Sequence, residues 1–248
     1  AVHVAMQQQL ARELAEDWRA AWQQCHDTGA YSPDAQSSGK RALAGLALHM
    51  LCLKAAASGD PVWPGKAYQR VKDAGNMTDR INALTALVNC HHELAGKALA
   101  HFHDLYQDEA LALDKWFELQ GQAPDRDGSA LPAVQKLMTH PDFTLRNPNR
   151  ARSLIFAYCQ DNPGGFHRRD AAGYVYWAEQ VAALDAINPQ VSARLARALD
   201  NWARLADPWH SAAREAIAHV AEQSGLSRDL SEVITRSLAS GPTLETKE

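Results

Sequence analysis

Apolar residues recur every three to four positions along almost the whole chain, as in "RALAGLALHMLCLKAAA" (41–57) and "RINALTALVNCHHELAGKALAHF" (80–102). That spacing puts them on one face of an α-helix, and no stretch sustains the two-residue alternation rich in Val, Ile and Thr that a half-buried strand requires. The sequence therefore predicts an all-α fold. Alanine is abundant inside these segments and costs least as helix, so local propensity agrees with the periodicity.

Helix starts are legible as well. An Asn or Asp side chain can accept a free backbone N–H at a helix start, and a following Pro fills a position whose N–H has no partner anyway. This pattern occurs at Asn147-Pro148, Asn162-Pro163, Asn188-Pro189 and Asp207-Pro208, and each is expected to open a helix or short helical turn. Ser227, after a stop at Gly225, reads as another N-cap. The pattern predicts about ten to twelve helices, with short loops at 58–66 ("SGDPVWPGK") and 122–132 ("QAPDRDGSALP"). Many short helices with brief connections suggest helix pairs stacked in series, an α-solenoid of the HEAT or armadillo kind, filling residues 1–240 as a single domain. Residues 241–248 read as a frayed polar tail.

Composition narrows the function. The net charge of −4 provides no basic stripe for phosphate backbones, which argues against nucleic acid as a partner. No apolar run approaches the roughly 20 residues of a membrane span, so no membrane partner is expected. Cys25, Cys52, Cys90 and Cys159 are scattered, with no CxxC pair, and the opening "AVHVAMQQQLARELAEDWRAAW" is amphipathic helix rather than a leader. Both features point to buried thiols in a reducing cytoplasm.

The densest candidate for metal chemistry is "NCHHELAGKALAHFH" (89–103), with four histidines, a cysteine and a glutamate. A His-Glu-x-x-His helix works because its histidines lie four residues apart on one face. Here Gly96 stands where the second His would be. On a continuous helix His92 and His101 are half a turn out of phase, while His92 and His103 are in phase but about 16 Å apart along the axis. A break near Gly96 would change these angles. Otherwise Cys90 belongs to the core and the histidines to the surface, and no metal is assigned to this chain. There is also no Gly-rich phosphate loop before a helix, "NPGGF" (162–166) reads as a turn, and no Gly-x-Ser-x-Gly elbow is present.

Recognition extends the reading. "NMTDRINALTAL" (76–87), "LDKWFELQ" (113–120), "HPDFTLRNPNRARSLI" (140–155), "FHRRDAAGYVYWAEQV" (166–181) and "INPQVSARLARAL" (187–199) resemble, in order and spacing, the C-terminal helical domain of bacterial aminopeptidase N, a family of zinc-dependent gluzincin aminopeptidases. The resemblance covers about residues 1–240 and is specific from 76 onward. It implies zinc-dependent removal of N-terminal residues from peptides by a parent enzyme. The metal would be held by His-Glu-x-x-His plus a distant Glu, and the substrate amine by a Gly-x-Met-Glu-Asn segment, all in an upstream catalytic domain. None of those motifs occurs in this chain, and "HHELAG" departs from the zinc pattern at Gly96. The chain alone is thus expected to be inactive and to hold no cofactor. Its partners would be the catalytic and N-terminal domains of the same polypeptide and peptide substrates.

In the family this domain resembles a bowl that closes over the catalytic domain, and two residues of its "NPQxxxR" helix reach the substrate cleft. The matching positions are Gln190 and Arg194, and their four-residue spacing puts both on one face near a helix start. An amide suits a substrate backbone or side chain, and a guanidinium suits a carbonyl or carboxylate. Arg150 and Arg152 in "NPNRARSL" resemble arginines around the family's internal channel. Read without the resemblance, Gln190 and Arg194 are ordinary solvated first-turn residues, and Arg150 and Arg152, so close to a helix start, would pair with a neighbouring carboxylate. Trp116, Phe117 and the "YVYW" run (174–177) read as core. Two hypotheses follow: the C-terminal domain of a zinc aminopeptidase N, or a free-standing α-solenoid adaptor that binds protein or peptide without chemistry. The reading frame upstream of Ala1 separates them.

Overall fold

A computed structural model describes residues 2–26 and 29–240. The expected tail at 241–248 lies outside the described residues. Every element is helical: fifteen α-helices, one π-helical turn and two 3₁₀ turns among the described residues. None is long and apolar enough to cross a membrane. The chain divides into two compact units, 1–116 and 117–248, and the division falls inside one helix, between Trp116 and Phe117.

The first unit holds α1 (Val2–Glu13), α2 (Ala15–Cys25), α3 (Ala35–Ser58), α4 (Val62–Asp73), α5 (Met77–Asn89), α6 (Leu94–Tyr106) and the start of α7 (Ala110–Gly121). Its centre is α3, which packs against α1, α2, α4 and α5. Ala44, Ala47, Leu48, Leu51, Cys52 and Ala55 form its buried stripe at helical spacing. They face a core completed by Leu84 and Leu87 of α5, and burying each such leucine contributes about 1.5–3 kcal/mol. Asp34 caps α3 by accepting the Ser37 N–H at 2.9 Å, and Gly59, at φ 71°, ends it in the left-handed conformation glycine tolerates best. Asn76 caps α5 in the same way, accepting the Asp79 N–H.

In the second unit, after the end of α7, come α8 (Ala130–Met138), α9 (Pro148–Ala151), the π turn Arg152–Phe156, α10 (Ala157–Asp161) and α11 (Pro163–Phe166). Next are α12 (Ala172–Asp185), α13 (Pro189–Ala196), the 3₁₀ turns Arg197–Leu199 and Trp202–Arg204, α14 (Trp209–Ala221) and α15 (Arg228–Ala239). Buried side chains occur on nearly every side of α12, including Tyr174, Tyr176, Trp177, Val181 and Leu184, because α11, α13 and α14 all pack on it. Tyr158, Phe166, Tyr174 and Tyr176 meet edge to face at centroid distances of 5.3–6.1 Å. Their polar ends are satisfied: the Tyr158 hydroxyl donates to the Gly165 carbonyl at 2.7 Å, and the Trp177 indole N–H to the Leu195 carbonyl. Of the "YVYW" run only Val175 faces outward, and Trp116 and Phe117 are buried.

Three expectations need correction. The helices outnumber the ten to twelve predicted, because Asn-Pro pairs open four-residue helices (α9 and α11) that periodicity over longer windows cannot resolve. The loop expected at 58–66 ends early, since α4 begins at Val62, where the Asp60 carboxylate accepts the Val62 N–H. The segment 80–102 is not one helix. It breaks at residues 90–93, with His91 at φ 49° and the His92 ring nitrogen accepting the Leu94 N–H at 3.1 Å. Gly96, where a break was considered, lies inside α6.

Candidate functional site

Two Asn-Pro helix starts line one concavity in the second unit. Asn147 Oδ1 accepts the N–H groups of Asn149 and Arg150 at 3.0 and 3.4 Å, and Asn188 Oδ1 accepts that of Val191 at 3.2 Å. Each Asn thereby fixes where the first turn of its helix starts, and each following Pro occupies a position that needs no donor. Between these starts lies a pocket of ≈ 530 Å³ lined by Pro148, Asn149, Arg152, Asn188, Gln190, Val191 and Arg194.

The helix behind the pocket is firmly seated. Val191 and Leu195 are buried, and the Ser192 hydroxyl, fully buried, donates to the Val181 carbonyl of α12 at 2.7 Å. With that face of α13 held, Gln190 and Arg194 stand exposed on the other side, one turn apart. Arg152 enters from the first residue of the π turn, exposed, with its guanidinium donating to the Asn149 side-chain oxygen at 3.4 Å. Single π turns inside α-helices are frequent at functional sites, because they rotate the side chains that follow.

The electrostatics have one sign. The lining contains two guanidinium groups and no carboxylate, and both helices direct the positive ends of their dipoles toward it. Such a concavity attracts a carboxylate or a polarised carbonyl, while the Gln190 amide can both donate to and accept from a peptide backbone. The groups present bind and orient; none is a nucleophile or a general base.

The structure brings together Gln190, Arg194 and Arg152 of the four residues singled out from the sequence, and it does not bring Arg150 to them. Arg150 is 4% exposed, donates to the Asp142 carbonyl at 2.7 Å and lies 4.9 Å above the Phe117 ring. Its neighbour Arg152, two residues on, faces the pocket instead. Asn149 and Asn188 were not singled out as lining residues, although the repeated Asn-Pro motif, each followed within two turns by an arginine, was a signal that could have paired the two starts.

The histidine-rich stretch comprises the turn from α5 to α6, with Cys90, His91, His92 and Glu93, and most of α6, which carries His101 and His103. Cys90 is half-buried, and burial pushes its thiol up to about 12. Within residues 1–116, no three His, Cys, Asp or Glu side chains among those described bring their ligand atoms within 4.8 Å of one another.

Comparison with known proteins gives this geometry its context. The chain is 33% identical over 243 residues to aminopeptidase N of Caulobacter vibrioides, matching 96% of this chain and 27% of the relative. It is 32% identical over 238 residues to aminopeptidase N of Escherichia coli, again with 96% and 27% covered. Among solved structures it is similar to Legionella pneumophila aminopeptidase A, crystallised in complex with aspartic acid, with a TM-score of 0.83 and 25% identity over 95% of this chain and 28% of that one. The chain thus spans about a quarter of the length of these relatives and is homologous to the C-terminal region of aminopeptidase N. Residues 1–239 match the family described as "Domain of unknown function (DUF3458_C) ARM repeats", and the chain belongs to that family.

Proposed function

We propose that this chain is the C-terminal domain of a zinc-dependent aminopeptidase N, a hydrolase that removes N-terminal residues from peptides. In that enzyme it caps the catalytic domain, shapes the substrate cavity and its access channel, and does no chemistry itself. Its partners are the catalytic and N-terminal domains of the same polypeptide and the peptide substrate. The observation that carries the reading is the pocket in which Gln190, Arg194 and Arg152 stand together without a carboxylate. Gln190 and Arg194 bind the part of the peptide beyond the scissile bond, and Arg152 contributes charge to the channel wall. The family's zinc belongs to residues upstream, since this sequence contains no His-Glu-x-x-His. Four free cysteines agree with a cytoplasmic setting.

The test is made in the full-length protein. Replacing Gln190 or Arg194 by Ala removes hydrogen bonds to substrate, one of them from a charged group, and should lower kcat/KM for tripeptides and longer peptides about tenfold for Arg194 and less for Gln190. Unchanged kcat and KM for both dipeptides and longer peptides would overturn the assignment. The 248-residue chain alone should release no nitroaniline from aminoacyl p-nitroanilides at concentrations where the full-length enzyme turns over; chelator-sensitive hydrolysis by the chain itself would contradict the non-catalytic role.

A further inference from the structure

Arg41, near the start of α3 in the first unit, is a buried guanidinium without a counter-ion among the described residues. It is 9% exposed, and its hydrogen bonds leave from a single nitrogen: Nη2 donates to the Ser32 carbonyl at 2.7 Å and to the Ser38 hydroxyl at 3.0 Å. The buried Nε and the Nη1 amino group have no acceptor among the described residues. Tyr31 places its ring 4.7 Å from the guanidinium carbon, a π face that offers those N–H groups no lone pair. The carboxylates at the starts of α3 and α5 are committed elsewhere. Asp34 accepts from the Ser32 hydroxyl at 2.5 Å and the Ser37 N–H at 2.9 Å, and Asp79 from Arg70 at 2.7 Å and the Asn76 amide at 2.9 Å. A charge this deeply buried is ordinarily paired, because removing it from water without a partner is costly. Arg80, equally buried, differs in that both of its terminal nitrogens meet backbone carbonyls.

The same side chain lines a small cavity of ≈ 60 Å³ where the end of α2 meets the start of α3. Cys25, Tyr31, Ser37, Lys40 and Asn76 line it with Arg41, and no carboxylate does. The volume is that of about two water molecules, which is room for one small anion. Lys40, exposed, brings a second positive charge, Ser37 brings a hydroxyl, and α3 directs the positive end of its dipole to this side. Water in the cavity would supply acceptors and no charge. An oxoanion supplies both, which is what the unpaired guanidinium lacks.

We propose that this cavity binds a small oxoanion of phosphate size, with Arg41 and Lys40 as its cationic partners and Ser37 as a hydroxyl donor. The inference is independent of the peptidase reading, because it uses none of the residues of the pocket around Gln190 and Arg194 and no chemistry on a peptide.

Cys25 gives the site its own readout, because its thiol lines the cavity and a bound ion would shield it. The measurement is the rate at which iodoacetamide labels Cys25 in the 248-residue chain, read by mass spectrometry of the labelled peptides, as inorganic phosphate is raised at constant ionic strength. Labelling of Cys25 should slow saturably, about tenfold at about ten times the half-saturating concentration, while labelling of Cys90, half-buried in the same unit, is unchanged. Arg41→Gln should abolish the protection, and Lys40→Gln should raise the half-saturating phosphate concentration several-fold. Arg41 also ties the Ser32 carbonyl, so Lys40→Gln, at an exposed position, decides the matter if Arg41→Gln fails to fold. Protection by inorganic phosphate and not by phenyl phosphate assigns the cavity to the free ion; protection by both assigns it to the phosphate group of an ester, and either result upholds the oxoanion. No protection at any phosphate concentration, equal slowing at Cys90, or undiminished protection in Lys40→Gln overturns the proposal. So does protection that emerges only in Asp27→Asn, since the chain's own carboxylate would then take the place of the anion.

Discussion

A guanidinium is costly to bury, and Arg80 is only 8% exposed. It is tolerated because its two terminal nitrogens meet the carbonyls left open at the end of α4, those of Val71, Lys72 at 2.9 Å and Ala74 at 2.5 Å, while its buried Nε has no partner. Arg80→Met keeps the volume but leaves three carbonyls without a donor, and should cost about 2–4 kcal/mol in urea unfolding of the chain. Arg80→Lys, a point charge in place of a fork, should recover only part of that. If Arg80→Met unfolds at the parental urea midpoint, the guanidinium is not what closes α4. Nothing local distinguished Arg80 or Arg150, both buried, from Arg152 and Arg194, both exposed. The fate of an arginine depends on which carbonyls and rings arrive from elsewhere, and these lie six or more residues away for Arg80 and eight or more for Arg150.

Elements were legible wherever their signals are local. Asn147, Asn162, Asn188 and Ser227 each cap the helix expected of them, because capping involves only the next two or three residues. Asp207-Pro208 is looser: α14 starts at Trp209, and Asp207 instead accepts from the Ser211 N–H and hydroxyl. Glycines inside helices separate local from tertiary control. A Cβ on Gly173 in α12 would stand 2.1 Å from the Phe166 backbone carbonyl, whereas one on Gly96 in α6 would meet nothing within 4 Å. Alanine gains about 1 kcal/mol of helix propensity at either site. At Gly173 the backbone clash outweighs it, so Gly173→Ala should destabilise by roughly 3 kcal/mol. Gly96→Ala should raise the melting temperature. Calorimetry of the two variants checks both signs, and a stable Gly173→Ala would mean that α11 and α12 can move apart.

For the whole molecule, the titratable groups set the acid limit. Burial pushes His49 and His167 below the ordinary imidazole value, so the unfolded chain binds their protons more readily than the folded one. Their contribution is complete above about 6.5 and is lost as the pH falls through the lower folded values. Asp34 and Asp170 are also depressed. Ser32 and the Ser37 N–H act on Asp34, and a hydrogen bond from Arg168 holds Asp170 at about 2. Both aspartates are exposed, and their smaller contributions vanish only below about pH 4. Denaturant unfolding should therefore give a plateau above pH 7, a decline that sets in as the pH falls below about 6.5, and a second decline below 4. The double variant H49Q/H167Q should flatten the first decline, and an unaltered slope would remove these histidines as its cause.

The sequence by itself determined the helical class, the helix starts at Asn147, Asn162, Asn188 and Ser227, and the pairing of Gln190 with Arg194 on one face, because periodicity, capping and four-residue spacing are written within a turn or two of chain. Family resemblance, carried by motifs from residue 76 onward, added the functional reading. Only the tertiary structure decided that the Asn147 and Asn188 helix starts share one pocket with Arg152 inside and Arg150 excluded, and that the histidine-rich stretch breaks at residues 90–93. Each of these depends on which helices lie side by side, a choice made by burying apolar faces whose complementary surfaces are distant in sequence.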